Sequence, residues 1–258
     1  MIHLRTAREI DAIAEGGAII GRLFEYLTDH VQPGVTTQQL DERVEAFIGE
    51  HQGAVPAFKG LYGFPGAACI SVNEEIVHGI PKDSMVLSEG DIVTVDVGVR
   101  LNGWCSDSAF TFAVGEVDAD TQRLLDATRG ALHAAVEASV VGNHVGDLGA
   151  AVMASVEGQG IGIVRDLVGH GIGREVHEEP QVPNVGRPGQ GPALRAGMVL
   201  AIEPMLSLGT DRIRTRSDRW TVVTTDGSRA AHFEHTVAIT ADGPQILTGA
   251  VREVPNAV

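Results

Sequence analysis

Two aspartates lie on a segment that the sequence predicts to be one β-hairpin. Valines alternate with other residues through 92–99, the period of two that is typical of a strand, and Asp96 lies on the face opposite the valines. Asn102 and Gly103 follow, a dipeptide that favours the positive φ angles of a two-residue turn. A turn centred there puts Gly98 opposite Asp107, so Asp96 and Asp107 share a face with β-carbons roughly 5.5–8 Å apart.

This carboxylate pair could bind a cation. Two carboxylates on a mostly apolar hairpin repel each other and resist loss of water. A cation between them would relieve both costs, and oxygen ligands suit hard or borderline divalent ions. An alternative is that Asp107 lies on a solvated face while Asp96 forms a buried ion pair. The hairpin alone leaves both interpretations open.

Three segments in the second half of the chain add further candidate ligands. His170 lies between Gly169 and Gly171, which we expect to let the backbone turn sharply and let another group approach the imidazole. Glu203 ends an apolar strand, and Glu234 lies within the apolar pattern of another. Taken singly, each could be an incidental turn histidine, a buried ion pair or an edge position. Taken together with the aspartates, they suit a hydrolytic site with two metal ions.

Composition excludes several classes of function. The chain has 258 residues and a formal net charge of −15, a surface that disfavours binding to DNA or RNA. Two cysteines, Cys69 and Cys105, are too few for a disulfide framework, so we expect a reducing, cytoplasmic location. No apolar run reaches the length of a signal peptide or a transmembrane helix, so no membrane association is expected.

The order of elements predicts an α+β fold with two similar halves. Helices are predicted over residues 6–30, from Thr36 or Thr37 to Gly53, over 121–141 and over 145–156. Segments rich in β-formers follow each helix pair. A spacing of 108 residues relates Gly34 to Gly142 and the apolar positions of the second helix to those of the fourth. We therefore predict one domain, 1–258, with pseudo-symmetric halves of roughly 1–115 and 116–250.

The sequence resembles a known family, the type I methionine aminopeptidases. The resemblance rests on segments 69–81, 90–96, 169–173, 177–180, 202–205 and 234–236, which include Gly-His-Gly, Ile-Glu-Pro and Glu-His-Thr motifs in the family's order. It covers nearly the whole chain. It implies the pita-bread fold, in which a central curved antiparallel sheet is covered by helices and the two halves are related by a pseudo-two-fold axis.

The resemblance also implies roles for individual residues. Asp96 would bind one divalent metal ion, His170 and Glu203 would bind a second, and Asp107 and Glu234 would bridge both. The residues implied to contact substrate are His78 and His177, with Cys69, Phe64 and Trp220 forming the pocket for the methionine side chain.

The implied activity is removal of the N-terminal methionine from peptides and nascent chains, with preference for a small second residue. Glu203 would accept a proton from the attacking water, His177 would hydrogen-bond the carbonyl oxygen, and His78 would act near the peptide nitrogen. The two ions could be cobalt, manganese, iron(II) or zinc. We expect a monomer that works close to the ribosome.

Three positions depart from the family's usual residues, and other functions stay open. Leu61 and Val176 replace aromatic residues, which affects the expected shape of the methionine pocket, and His232 replaces glutamine near Glu234. A proline-specific peptidase of the same fold, such as aminopeptidase P or prolidase, normally carries a large additional N-terminal domain. A catalytically inactive binding protein would be expected to lack ligands, and a purely structural metal would leave the histidine pair unexplained.

Overall fold

Two helix pairs flank the sheets in the computed structural model, which describes residues 1–249. The helices are α1 (Ala7–Thr28), α2 (Thr37–Gly49), α3 (Ala119–Ala138) and α4 (Val145–Ser155). Thr6 and Thr36 cap α1 and α2 in capping boxes, since each side chain accepts a bond from the backbone N–H three residues on. Helix α2 ends at Gly49, not at Gly53 as predicted, because Glu50 already closes the last turn.

Fifteen short strands complete the described elements, with one 3₁₀ helix at Leu61–Gly63. The strands are β1 (Ala54–Pro56), β2 (Cys69–Val72), β3 (Glu75–Val77), β4 (Ile92–Leu101), β5 (Trp104–Ala113), β6 (Gly162–Ile163), β7 (Val168–Gly171), β8 (Glu178–Pro183), β9 (Val199–Ile202), β10 (Met205–Ser207), β11 (Ile213–Thr215), β12 (Val222–Thr224), β13 (Ala230–His232), β14 (His235–Thr240) and β15 (Gly243–Ile246). The order helix, helix, strands therefore occurs twice, although the division into halves stays a prediction.

The predicted hairpin is strands β4 and β5. Leu101 pairs with Trp104 and Gly98 pairs with Asp107, which confirms the predicted register. On its other edge, β4 pairs with both β1 and β2. Its valines pack under α1 and α2, whereas Asp96 lies on the opposite face. The first half thus forms one four-stranded sheet with a helix-covered side.

The second half contains a five-stranded sheet in the order β15-β14-β9-β7-β8 and a three-stranded sheet in the order β13-β10-β6. Strand β9 runs on into β10 through Glu203 and Pro204, and β13 runs on into β14 through Phe233 and Glu234. Glu234 therefore lies between two strands. The apolar pattern had predicted that Glu234 lies inside a strand, and this prediction is wrong. A fourth sheet, β11-β12-β3, joins the two halves of the chain.

Direct hydrogen bonds hold β5 against the β13–β14 segment. The Thr236 hydroxyl donates to the Asp107 carbonyl at 2.7 Å and accepts from the Asp107 N–H at 3.0 Å. The Glu234 N–H donates to the Ala109 carbonyl at 2.9 Å, and the Ser108 hydroxyl donates to the Glu234 carbonyl at 2.5 Å. These bonds set the position of the first-half hairpin relative to the second-half strands.

None of the helices within residues 1–249 combines the length and the hydropathy that spanning a bilayer requires.

Candidate metal centre

A single cavity of about 530 Å³ collects the residues predicted to bind metal or substrate. They lie on strands and loops from both halves of the chain. The predicted residues that line this cavity are Phe64, Cys69, His78, Asp96, Asp107, His170, His177, Glu203, Trp220 and Glu234. Their meeting in one place is a structural fact, whereas the roles assigned to them stay predictions.

Asp96 and Asp107 enter the cavity from the middle of β4 and β5. Their residues are 8% and 3% exposed, so both carboxylates are buried. Cys69 pairs with Asp96 across the β2–β4 ladder, which brings the thiol to the same part of the cavity. Long, regular strands on both sides hold these side chains in a fixed direction.

Glu203 and Glu234 face each other where the second-half strands change sheets. Ile202 pairs with His235 on one side of this break, and Met205 pairs with His232 on the other. The two glutamates therefore lie across from each other between the paired positions. The β9–β14 pairing stops and the β10–β13 pairing starts on either side of the two glutamates. Both carboxylates point into the cavity at this break between the two sheets.

His170 lies on strand β7, so the predicted sharp turn at its glycines is wrong. A β-carbon at Gly169 would collide with the Ala201 carbonyl oxygen, and one at Gly171 would collide with the Glu179 carbonyl oxygen. The glycines are thus required by close approach of the neighbouring backbone. His170 Nδ1 lies 2.9 Å from the Gly171 carbonyl oxygen, which fixes the proton on Nδ1 and leaves Nε2 as a lone-pair donor.

The imidazole nitrogen faces the carboxylates at ligand-to-ligand distances. His170 Nε2 is 3.9 Å from Asp107 Oδ2 and 3.6 Å from Glu203 Oε1. One ligand atom from each of Asp107, His170 and Glu234 lies within 4.8 Å of the others. These distances place three carboxylates and one imidazole around a common centre, and the Asp96 carboxylate lines the same cavity.

The electrostatics of this cluster call for a cation. Burial, reinforced by the neighbouring carboxylates, raises the pKa of Asp96, Glu203 and Glu234 well above the ordinary range, and burial raises the pKa of Asp107 to about 7. Burial likewise lowers the pKa of His170 to about 4. Among residues 1–249, no lysine or arginine forms a salt bridge with these carboxylates.

Unpartnered oxygens provide the test of fit for a metal. Asp96 Oδ1, Asp107 Oδ1 and Glu234 Oε1 are buried without a hydrogen-bond partner in the described chain. Such atoms are costly unless something else satisfies them. Carboxylate oxygens with one imidazole match the preferences of divalent first-row ions, so the residues present fit the implied metal pair.

The two predicted substrate histidines lie beside the carboxylate cluster. His177, on the loop between β7 and β8, packs edge-on against His170 with ring centroids 4.5 Å apart. His78 directly follows β3 and has a positive φ of 58°. Burial lowers the pKa of both histidines, so each is neutral near pH 7 and can donate one hydrogen bond.

An apolar wall forms the other side of the cavity. Phe64 and Trp220 meet edge to face with centroids 5.2 Å apart. Leu61 also lines the cavity, so its departure from the family's aromatic residue changes this wall directly. Val176 is buried behind it in the core cluster that contains Phe64 and Cys69, and it does not line the cavity.

No role was assigned from the sequence to two residues that lie at the site, Tyr62 and Thr236. Tyr62 is 76% exposed, lines the cavity and stacks on His177 with centroids 5.8 Å apart. Thr236 fixes Asp107 through both of its hydrogen bonds. The glycines around Tyr62, at 60 and 63, were a signal of an unusual loop, and both have positive φ. Thr236 belongs to the Glu-His-Thr motif but was given no role, because that role depends on Asp107, 129 residues away on another strand.

Comparisons with known proteins agree with this arrangement. The model of metallopeptidase family M24 matches residues 11–241. A methionine aminopeptidase of Clostridium perfringens is 50% identical over 248 residues, which are 96% of this chain and 99% of the relative. The crystal structure of a methionine aminopeptidase from Thermotoga maritima superposes with a TM-score of 0.94 at 44% identity, covering 97% of this chain and 100% of that one.

A more distant match concerns the fold alone. The prolidase from Pyrococcus horikoshii superposes with a TM-score of 0.79 at 23% identity. The alignment covers 97% of this chain but 64% of the prolidase. Together, these matches confirm the predicted α+β pita-bread fold.

Proposed function

The chain belongs to metallopeptidase family M24, and from this premise we propose that it removes the N-terminal methionine from peptides and nascent proteins with a small second residue. One observation carries the proposal: three buried carboxylates, the largely buried carboxylate of Glu203 and an imidazole surround one cavity and have no lysine or arginine to neutralise them within residues 1–249. The high identity to relatives named methionine aminopeptidase supports the choice of substrate.

The proposed ligand set uses all five groups. Asp96 would hold one ion, His170 and Glu203 would hold the other, and Asp107 and Glu234 would bridge them. When bound, two divalent cations supply Lewis acidity that polarises a peptide carbonyl and makes water a nucleophile at neutral pH. Cobalt, manganese, iron(II) and zinc are all compatible with this donor set.

The chain's own residues would manage protons and orientation. Glu203, in contact distance of His170, would accept the proton of the attacking water and pass it to the leaving amine. His177 would donate a hydrogen bond to the carbonyl oxygen as negative charge develops there. His78 would act near the peptide nitrogen. Burial lowers the pKa of both histidines, which favours the neutral imidazole, and a neutral imidazole still has one N–H to donate.

The substrate's side chain would lie against the apolar wall. Phe64, Cys69 and Trp220 are a buried ring, a buried thiol and a half-buried indole, a lining that suits a thioether. The cavity volume lies within the range of small-ligand sites. The free α-amine would bind beside the carboxylate cluster, which restricts cleavage to the first residue of the substrate.

The remaining expectations belong to the same proposal. We propose one catalytic domain, a cytoplasmic location, action as a monomer and contact with nascent chains near the ribosome. Cys69 and Cys105 are both free and buried, as a reducing compartment would keep them.

Peptide hydrolysis tests the proposed activity. Metal-free protein is reconstituted with Co²⁺ or Mn²⁺ and given Met-Ala, Met-Leu and X-Pro peptides of equal length. We expect release of methionine from the Met-Ala peptide, much slower release from the Met-Leu peptide, and no cleavage before proline. Preferred cleavage of X-Pro peptides would identify a prolidase-like enzyme instead, and no cleavage of any peptide would reject the peptidase assignment.

A further inference from the structure

His232 occupies an unusual place behind two of the proposed ligands. The residue is 1% exposed and does not line the cavity. Its Nε2 lies 3.7 Å from Glu203 Oε2 and 3.8 Å from Glu234 Oε2. Glu203 Oε1 faces His170, so the Glu203 carboxylate stands between two imidazoles.

The backbone of His232 is held rigidly. Its N–H donates to the Thr111 hydroxyl at 3.0 Å, and that hydroxyl lies 2.7 Å from its carbonyl oxygen. The residue also pairs with Met205 across the β10–β13 ladder. The ring therefore has a fixed origin from which to reach both glutamates.

The ring itself lacks hydrogen bonds. Neither Nδ1 nor Nε2 of His232 has a partner within the described chain, although both atoms are fully buried. Buried polar atoms in folded proteins are rarely left in this state. The Nε2 distances exceed the usual range of an N–H···O bond by about 0.5 Å, and the broad terminal torsion of a glutamate can close such a gap.

We propose that His232 is a positioning residue whose Nε2–H holds the carboxylates of Glu203 and Glu234 in the orientation that binds the divalent cations. The inference rests on the proposed metal site and extends it to a residue outside the ligand set. An outer hydrogen bond of this kind restricts the rotation of a ligand and typically changes metal affinity 10- to 100-fold.

A purely space-filling role predicts a different behaviour. If His232 only packs the core, a leucine of similar size would keep metal affinity, and its effect would appear in stability alone. If the N–H positions the glutamates, the leucine variant loses metal affinity. Its metal-free form also loses some stability, because the leucine removes the donor and leaves buried carboxylate oxygens without a partner. Metal affinity is therefore the measurement that separates the two roles.

The experiment compares three variants by calorimetric titration of metal-free protein with Mn²⁺ and by thermal unfolding without metal. His232→Leu removes the donor, and His232→Gln keeps an N–H donor. His235→Leu is the matched control, since His235 also flanks Glu234 but bonds the Thr248 hydroxyl and lines a second cavity. We expect about 10- to 100-fold weaker Mn²⁺ binding in His232→Leu, and binding near that of the wild type in the other two.

The outcomes separate the inference from the proposed function. Equal Mn²⁺ affinity in wild type and His232→Leu would overturn the inference while leaving the metal site in place. Equal losses in His232→Leu and His235→Leu would also overturn it, since they would show general loosening of this segment. Failure of the wild type to bind Mn²⁺ would reject the proposed function itself. A changed absorption spectrum of bound Co²⁺ in His232→Gln would mark His232 as a direct ligand and contradict a positioning role.

Discussion

The two halves of the molecule deliver their proposed ligands in different ways. In the first half, Asp96 and Asp107 project from the middle of a continuous hairpin of two ten-residue strands. In the second half, His170, Glu203 and Glu234 come from a short strand and from two breaks between sheets. The first-half ligands are placed by strand periodicity, and the second-half ligands by close packing of separate segments. The same centre therefore depends on one local and one long-range arrangement.

The largest expected effect comes from the residue that joins both arrangements. Asp107→Ala removes a proposed bridging carboxylate that is also tied to Thr236 of the second half. We expect metal and activity to be lost together, measured by metal content after dialysis and by release of methionine. Asp211→Ala, which removes an exposed carboxylate paired with Arg165, is the control and keeps both. Normal cleavage of methionyl peptides by the Asp107 variant would refute its bridging role.

The second prediction separates ligands from their neighbours. His177 packs on His170 but belongs to no proposed ligand set. His177→Ala is expected to retain both metals and to lower kcat by about 100-fold or more, because a donor to the developing oxyanion is removed. His133→Ala, an exposed histidine on α3, serves as the control. An unchanged kcat in the His177 variant would remove this residue from the mechanism.

The contrast between the halves also explains what the sequence could reveal. The alternating valines and the Asn102-Gly103 turn correctly predicted that Gly98 lies opposite Asp107. This information is local, because a hairpin's register follows from its turn. The positive φ at Gly34 and Gly142, likewise, agrees with the helix-pair spacing of 108 residues.

The second-half ligands could not be assembled from local patterns. Glu203 and Glu234 meet because Met205 pairs with His232 and Ile202 pairs with His235, and no period in the sequence predicts which distant strands pair. The glycines beside His170 were misinterpreted as a turn for the same reason, since the collisions that require them involve Ala201 and Glu179. Residue type alone grouped these residues as candidate ligands, and only the family resemblance assigned each of them a place in one ligand set.

Matched glycine substitutions measure the difference directly. A β-carbon at Gly169 would strike the Ala201 carbonyl of the paired strand, whereas one at Gly98 would lie 2.7 Å from the Phe58 ring, which can move. We expect Gly169→Ala to destabilise the metal-free protein by more than about 3 kcal/mol, which is above the usual range for a single substitution. Gly98→Ala should cost about 1–3 kcal/mol through overpacking. Urea unfolding measures both, and equal losses would contradict the proposed contrast.

The pH dependence of stability tests how much of the protonation of the carboxylate cluster belongs to Asp107. In the folded protein without metal, burial raises the pKa of Asp107 to about 7 from the ordinary value of 3.8. The folded state therefore binds this proton more tightly, so its stabilising contribution is complete below pH 3.8 and is lost as pH rises through 7.

We accordingly expect the Tm of the metal-free protein to fall by several degrees between about pH 5 and pH 8, and the fall to be smaller in Asp107→Ala. Saturating Mn²⁺ should abolish the fall, because it stabilises the charged carboxylates. An identical fall in the variant would assign the response to the other carboxylates of the cluster, Asp96, Glu203 and Glu234, whose pKa values are also raised.

The smallest effect is expected where the halves are equivalent. Gly34 and Gly142 precede α2 and α4 with φ angles of 89° and 98°, and a β-carbon at either would meet nothing within 4 Å. Conformational strain is then the whole cost, so Gly34→Ala and Gly142→Ala should each destabilise by about 1 kcal/mol. Gly130→Ala, inside α3 and equally open, should instead stabilise by about 0.5–1 kcal/mol. If the two turn variants differed by much more than the error of urea unfolding, the helix pairs would not be equivalent, and the contrast between the halves would extend beyond the ligands.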